Sequence, residues 1–233
     1  MKIDRNSCVM IAALSLCAWG ASAHAAENPM GRVGIEHNAY LACVMQAGVP
    51  ADTSPLATLV EHCGFDPGMS VDDLVQKYAF MVEAHVGVGV AEGAAAYRDY
   101  FTEYEFSFIT RIDSILALDA DERTTDALLA GLEDEAVIRL NSTSRSGQAL
   151  LAAISTARHS VRYRVVQSDG GSAGQRFPWD IVGADLLGAL GGTLIGGPLM
   201  GTAIGVACSA AAGERSQART KFVLALADSP PAG

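Results

Sequence analysis

From Leu186 to Gly213 the chain runs for 28 residues without a charged side chain. Within that run, residues 188–205 read GALGGTLIGGPLMGTAIG, with seven glycines in eighteen positions. Each glycine costs a helix about 1 kcal/mol relative to alanine, so a helical reading forgoes on the order of 7 kcal/mol. Something must compensate: close backbone packing, burial against other helices, or a hydrocarbon surrounding in which unpaired backbone groups are too costly to leave. The glycines are ordered. Gly188, Gly192 and Gly196 recur at spacings of four, and so do Gly197, Gly201 and Gly205. Such spacing puts each set on one helical face, where a second backbone can approach closely. Pro198 has no amide hydrogen and clashes with a preceding helical turn, so Gly196-Gly197-Pro198 is expected to be a sharp turn or kink.

Length leaves two arrangements open. The uncharged run suffices for one kinked span. As a hairpin, the arms beginning at Ile181 and Leu199 have about 15 residues each and cover about 22 Å, short of a hydrocarbon core of about 30 Å. Arg215, Arg219 and Lys221 follow directly, as suits the cytoplasmic side of an inner membrane. The expected role of the six glycines 188, 192, 196, 197, 201 and 205 is membrane association or self-association. A hairpin buried in a water-soluble bundle is the competing arrangement.

The rest of the chain reads as helix. Apolar residues at 35, 40, 41, 44 and 45 follow a helical period. Pro55 suits a first helical position after Thr53 and Ser54, and Gly64 closes that helix. Ser70 and Asp73 resemble a capping box ahead of a helix over 71–90, weakened by Gly87, Gly89 and Gly93. Tyr97, Tyr100, Phe101, Tyr104, Phe108, Ile112 and Ile115 predict one long helix over 94–118 with a core stripe. Asp119 and Glu122 predict the start of the next helix, to about Leu140, and 146–166 carries another stripe. The expected fold is all-α: a bundle of about six helices with an appended glycine-rich helical hairpin.

The first residues, MKIDRNSCVMIAALSLCAWGASAHA, have Lys2 and Arg5, an apolar stretch from Cys8 to Trp19, and a small-x-small site at Ala23-His24-Ala25. That pattern is a secretory signal peptide, 1–25. The further expected divisions are an α-helical domain 26–168, a linker 169–177 (Asp-Gly-Gly-Ser-Ala-Gly at its start), the hairpin 178–213 and a tail 214–233. The expected location is the periplasm or cell envelope, membrane-associated or secreted. Removing 1–25 leaves a net charge of −11, which disfavours nucleic acid as a partner. Of the three remaining cysteines, Cys43 and Cys63 lie on adjacent helical segments and are the natural disulfide in an oxidising compartment. Cys208 is the odd one, a buried thiol or an intermolecular bridge.

Charge is segregated. Residues 66–135 hold sixteen acids and four bases, and 136–176 hold six arginines and one aspartate. These regions are expected to pack together and neutralise each other. The competing use of Arg158, Arg162 and Arg164, beside His159, is contact with lipid headgroups. No catalytic motif, cofactor loop or metal-binding spacing is present. Asn28, His37 and Asn38 are the polar candidates for a specific site. Their structural reading is that Asn28 caps a helix and His37 and Asn38 bond into the bundle.

The glycine arrays resemble glycine-zipper segments of small bacterial envelope proteins and membrane-active bacteriocin peptides. The pattern Asn28-Pro29-x4-Gly34-x2-His37-Asn38-x2-Leu41 resembles the start of a group of uncharacterised exported bacterial proteins, which carry a helical middle and a tail like VGADLLGALGG. The resemblance implies an exported or envelope protein and carries over no activity. The resulting expectation is a non-enzymatic exported protein. A metal-binding or hydrolytic domain using His37, His62 and His85, and a bacteriocin-like membrane-active toxin, are the alternatives.

Overall fold

The computed structural model describes residues 27–50, 52–168 and 178–227. The signal-peptide stretch 1–25 and the linker 169–177 lie outside them. Among the described residues the regular structure is entirely helical: α1 Gly31–Ala47, α2 Pro55–Cys63, α3 Val71–His85, α4 Val90–Ala94, a 3-10 segment Ala95–Tyr100, α5 Glu103–Ala117, α6 Glu122–Arg139, α7 Arg145–Ser168, α8 Trp179–Gly196 and α9 Pro198–Ala227.

Helix starts follow local chemistry. Ser54 and Ser70 accept hydrogen bonds from the amides of Leu56 and Asp73, which answers amides that a helix start leaves unpaired. Gly64 takes a left-handed φ of 69° after α2, a conformation glycine adopts without steric cost. Two expectations are corrected. The long helix over 94–118 is interrupted, because Phe101 is extended and Thr102 forms a capping box with Glu105 that starts α5 afresh. Satisfying those amides outweighs continuing the aromatic spacing. Tyr97, Phe101 and Phe108 are still buried, whereas Tyr100 and Tyr104 are exposed. The cap of α6 is Asp121, not Asp119, which sits at φ 51° in the connection.

The larger correction concerns the hairpin, which is not an appendage. Helix α8 is buried at every residue from Ile181 to Leu194. It packs on α9, α7, α4 and α3, while α1 lies across α7 and α9. A helix that is apolar all round must be enclosed on every side. Helices α1, α2, α3, α4, α5 and α7 sheathe the hairpin, and one hydrophobic cluster joins Leu150, Ile154 and Val161 of α7 with Leu187, Leu190 and Ile204 of the hairpin.

The glycines set the distance between α8 and α9. A Cβ on Gly188 would lie 2.7 Å from the Ile204 carbonyl oxygen and 2.8 Å from the Gly205 Cα. On Gly192 it would lie 2.5 Å from the Met200 carbonyl oxygen and 2.9 Å from the Gly201 Cα. Gly188 and Gly192 therefore face Gly205 and Gly201, antiparallel, backbone against backbone, whereas Gly196 meets the Met200 side chain. Gly197 turns the chain at φ 85°, and Pro198 begins α9. Away from the hairpin, Cys43 and Cys63 form a disulfide with a Cα–Cα distance of 5.8 Å, tying α1 to α2. Closing a loop of that length stabilises by about 3 kcal/mol in the chain-entropy model.

Contrasting substitutions follow from this packing. Gly192→Ala improves helix propensity yet meets backbone atoms, so it is expected to destabilise by about 1–3 kcal/mol. Gly131→Ala, in α6 with nothing within 4 Å of its Cβ position, is expected to stabilise by about 0.5–1 kcal/mol. Urea unfolding of the two variants checks the pair; equal effects would remove the close approach as the reason for Gly192.

Candidate functional site

The two ends of the described chain meet. Gly34, His37, Asn38 and Leu41 share one face of α1, by the three-and-four spacing of a helix. Gly34 lets α7 come close: a Cβ there would lie 2.6 Å from the Ser155 carbonyl oxygen. Beyond it, Asn38 Nδ2 donates to the His159 carbonyl oxygen at 2.7 Å. Asn38 Oδ1 lies 3.1 Å from His37 Nδ1. The His37 ring is fully buried, with Nε2 4.0 Å from Asp185 Oδ1. Asp185, also fully buried on α8, accepts a hydrogen bond from Ser160 Oγ at 2.7 Å. Gly205 of α9 borders the same place, since a Cβ on it would lie 3.1 Å from His37 Cδ2.

Asn28 lies at the mouth of a neighbouring cavity of about 600 Å³, bounded by Ile35, Glu133, Asp134, Arg158 and His159. Its Oδ1 accepts from the Met30 amide at 2.8 Å, which shapes the entry into α1. Its Nδ2 donates to Glu133 Oε1 at 2.5 Å and to the Leu151 carbonyl oxygen at 3.0 Å. Arg158 donates to the other Glu133 oxygen. Arg162 grips Asp126 through Nε and Nη2, both at 3.0 Å. The basic stretch thus neutralises the acidic one across α6 and α7, and Arg158 and Arg162 are engaged by carboxylates rather than held out for headgroups. The Arg164 side chain falls outside the described residues. Burial, and then the charge of Arg162, lower the pKa of His159. Ser155, the hydroxyl in this cavity, donates to the Gly31 carbonyl oxygen at 3.0 Å, so its hydrogen bond joins α7 to α1 rather than to a base.

A second buried polar group lies between α3 and the hairpin. The Tyr97 hydroxyl is 3.1 Å from His85 Nε2, and Cys208 Sγ is 4.0 Å from His85 Nδ1. Burial pushes the His85 pKa down to about 4. Burial first, then Cys208 and Tyr100, push that of Tyr97 up to about 12. The Cys208 thiol is fully buried, and burial raises its pKa well above the usual thiol range. It is a protonated core thiol, not poised for an intermolecular bridge.

The structure therefore ties Asn28 to α6 through Glu133 and to α7 through Leu151, ties Asn38 to α7 through His159, and sets His37 against Asp185 of α8. The three histidines of the metal-binding alternative are not brought together. His37 faces Asp185, His85 faces Tyr97 and Cys208, and His62 is exposed at the end of α2. Among the described residues no group of three or more His, Cys, Asp or Glu side chains is arranged to hold a metal ion. The sequence reading missed Asp185 and Ser160. Asp185 did carry a signal: it is the sole acidic or basic side chain from Ile181 to Gly213. No protein-family model, curated protein or solved structure matches the chain.

The His85 environment dictates a pH dependence. Its folded pKa lies below the unfolded value of about 6.5, so the unfolded chain takes up the proton first. Its contribution is intact above pH 6.5 and is lost as pH falls from there to about 4. A shift of that size corresponds to about 3 kcal/mol. Denaturation midpoints measured between pH 7 and pH 4 are expected to fall, and His85→Gln is expected to flatten the slope.

Proposed function

We propose that this is an exported, non-enzymatic envelope protein that associates with membrane lipid through the α8–α9 hairpin. The observation that carries the reading is the hairpin's construction. Its glycine ridges interlock with each other, so the pair keeps its close packing wherever it goes. Apart from Asp185 and Cys208, the side chains turned to the sheath are mainly Leu, Ile, Val and Ala, and lipid tails replace such apolar contacts at little cost. The tip also breaks the surface: Ile195 is 39 % and Leu199 48 % exposed, either side of Gly197 and Pro198. Self-association through the glycine faces would first need each arm to give up the other.

No helix among the described residues is long and apolar enough to cross a membrane. The mode consistent with this is insertion of the tip into one leaflet. Electrostatics plays little part, because the mature charge of −11 repels anionic headgroups and the two arginines nearest the acids of α6 are paired. Binding is therefore expected to favour zwitterionic lipid and to depend weakly on salt.

Flotation with phosphatidylcholine vesicles tests the proposal, using the chain from Ala26 onward. The protein is expected to float with the vesicles. Ile195→Asp and Leu199→Asp are each expected to weaken binding by about tenfold or more, since burying such a side chain is worth about 1.5–3 kcal/mol. Both positions are exposed, so unfolding midpoints should stay put. Protein that remains at the bottom of the gradient, or floats equally well with charged tips, overturns the proposal.

A further inference from the structure

We propose that Ser160, Asp185, His37 and Asn38 form a latch that holds the hairpin inside its sheath. The inference rests on the membrane reading for what is released, but the latch itself stands on geometry. Ser160 Oγ donates to Asp185 at 2.7 Å. Asp185 faces His37 at 4.0 Å, His37 contacts Asn38 at 3.1 Å, and Asn38 donates to the carbonyl of His159 at 2.7 Å. His159 is the neighbour of Ser160 in α7. The polar path therefore closes into a ring through α1, α7 and α8.

That ring differs in kind from what surrounds it. The sheath holds α8 mainly by apolar contacts, which are tolerant of sliding and exchangeable for lipid. A buried carboxylate is not exchangeable in that way, because hydrocarbon offers it neither a hydroxyl nor an imidazole. Leaving the sheath means breaking the ring before any lipid contact compensates. The ring therefore fixes the register of α8 against α1 and α7 and opposes escape of the hairpin in water. Placing one carboxylate in an otherwise uncharged stretch, opposite the His-Asn pair of α1, achieves both. It also gives the N-terminal pattern and the glycine-rich tail a shared physical purpose, since the first supplies His37 and Asn38 and the second supplies Asp185.

Cys208 reports on the latch. It is fully buried on α9 against His85, and it is the free thiol of the chain from Ala26 onward. Its alkylation rate under native conditions measures opening of the hairpin. Ser160→Ala and Asn38→Ala break the ring without altering the hairpin and are expected to raise the labelling rate about tenfold. The comparison is Leu132→Ala in α6, which packs on α5 and α7 away from the hairpin and whose labelling should rise only in step with its loss of global stability. If the ring variants label no faster than Leu132→Ala at matched global stability, the latch is overturned. Should either ring variant fail to fold, Asp185→Asn, which keeps an acceptor for Ser160, is judged by the same comparison. Faster labelling together with faster vesicle binding supports both proposals. Faster labelling with no vesicle binding keeps the latch and overturns the membrane reading.

Discussion

The contact between α8 and α9, glycine against glycine, is what the remaining architecture depends on. At 188 opposite 205, and at 192 opposite 201, no side chain separates the two backbones. An approach this close lets two weak helix formers stabilise each other through dense van der Waals packing. It also produces a slender apolar rod that water cannot be allowed to reach. The sheath follows from that. Helices α1, α3 and α7 each turn an apolar stripe inward, and on the outer side Arg162 of α7 and Arg111 of α5 pair with Asp126 and Glu135 of α6.

Polar groups inside such a core are costly unless each is answered. Two buried polar groups join the hairpin to its sheath. Asp185 meets Ser160 and His37 on one side. Cys208 meets His85 and, through it, Tyr97 on the other. The first group involves a carboxylate and sets register; the second is neutral at ordinary pH, because burial keeps His85 unprotonated. The cavity at Asn28 belongs to neither. Its buried carboxylate, Glu133, is answered by Asn28 and Arg158, which anchors the start of α1 onto α6 and α7.

Much of this was legible in the sequence. The spacing of four marked Gly188, Gly192, Gly201 and Gly205, which meet across the hairpin, but not the different places of Gly196 and Gly197; Pro198 marked the turn, and the placement of Cys43 and Cys63 on neighbouring helices marked the disulfide. Where the glycine faces pointed was not legible, because a bilayer and a protein interior demand the same bare ridge. The same 28 uncharged residues that suggested an appendage are what force the hairpin to the centre. Thr102 and Glu105 have the spacing of a capping box, yet the aromatic period running through them concealed it. His37 and Asn38 were recognisable as polar residues in want of partners. The partners, Ser160 and Asp185, lie on other helices far along the chain, and only the packing of α1 onto α7 and α9, with α8 between them, selects them.

The most direct measurement of the hairpin core is amide hydrogen exchange, residue by residue, in water. Amides from Val182 to Leu194 should be the slowest in the chain and should exchange with the free energy of global unfolding, because α8 can open only when its sheath does. Exchange of those amides ahead of α3 and α5, at a lower free energy that is insensitive to denaturant, would show a loosely held surface hairpin and would contradict the interlocked glycine core.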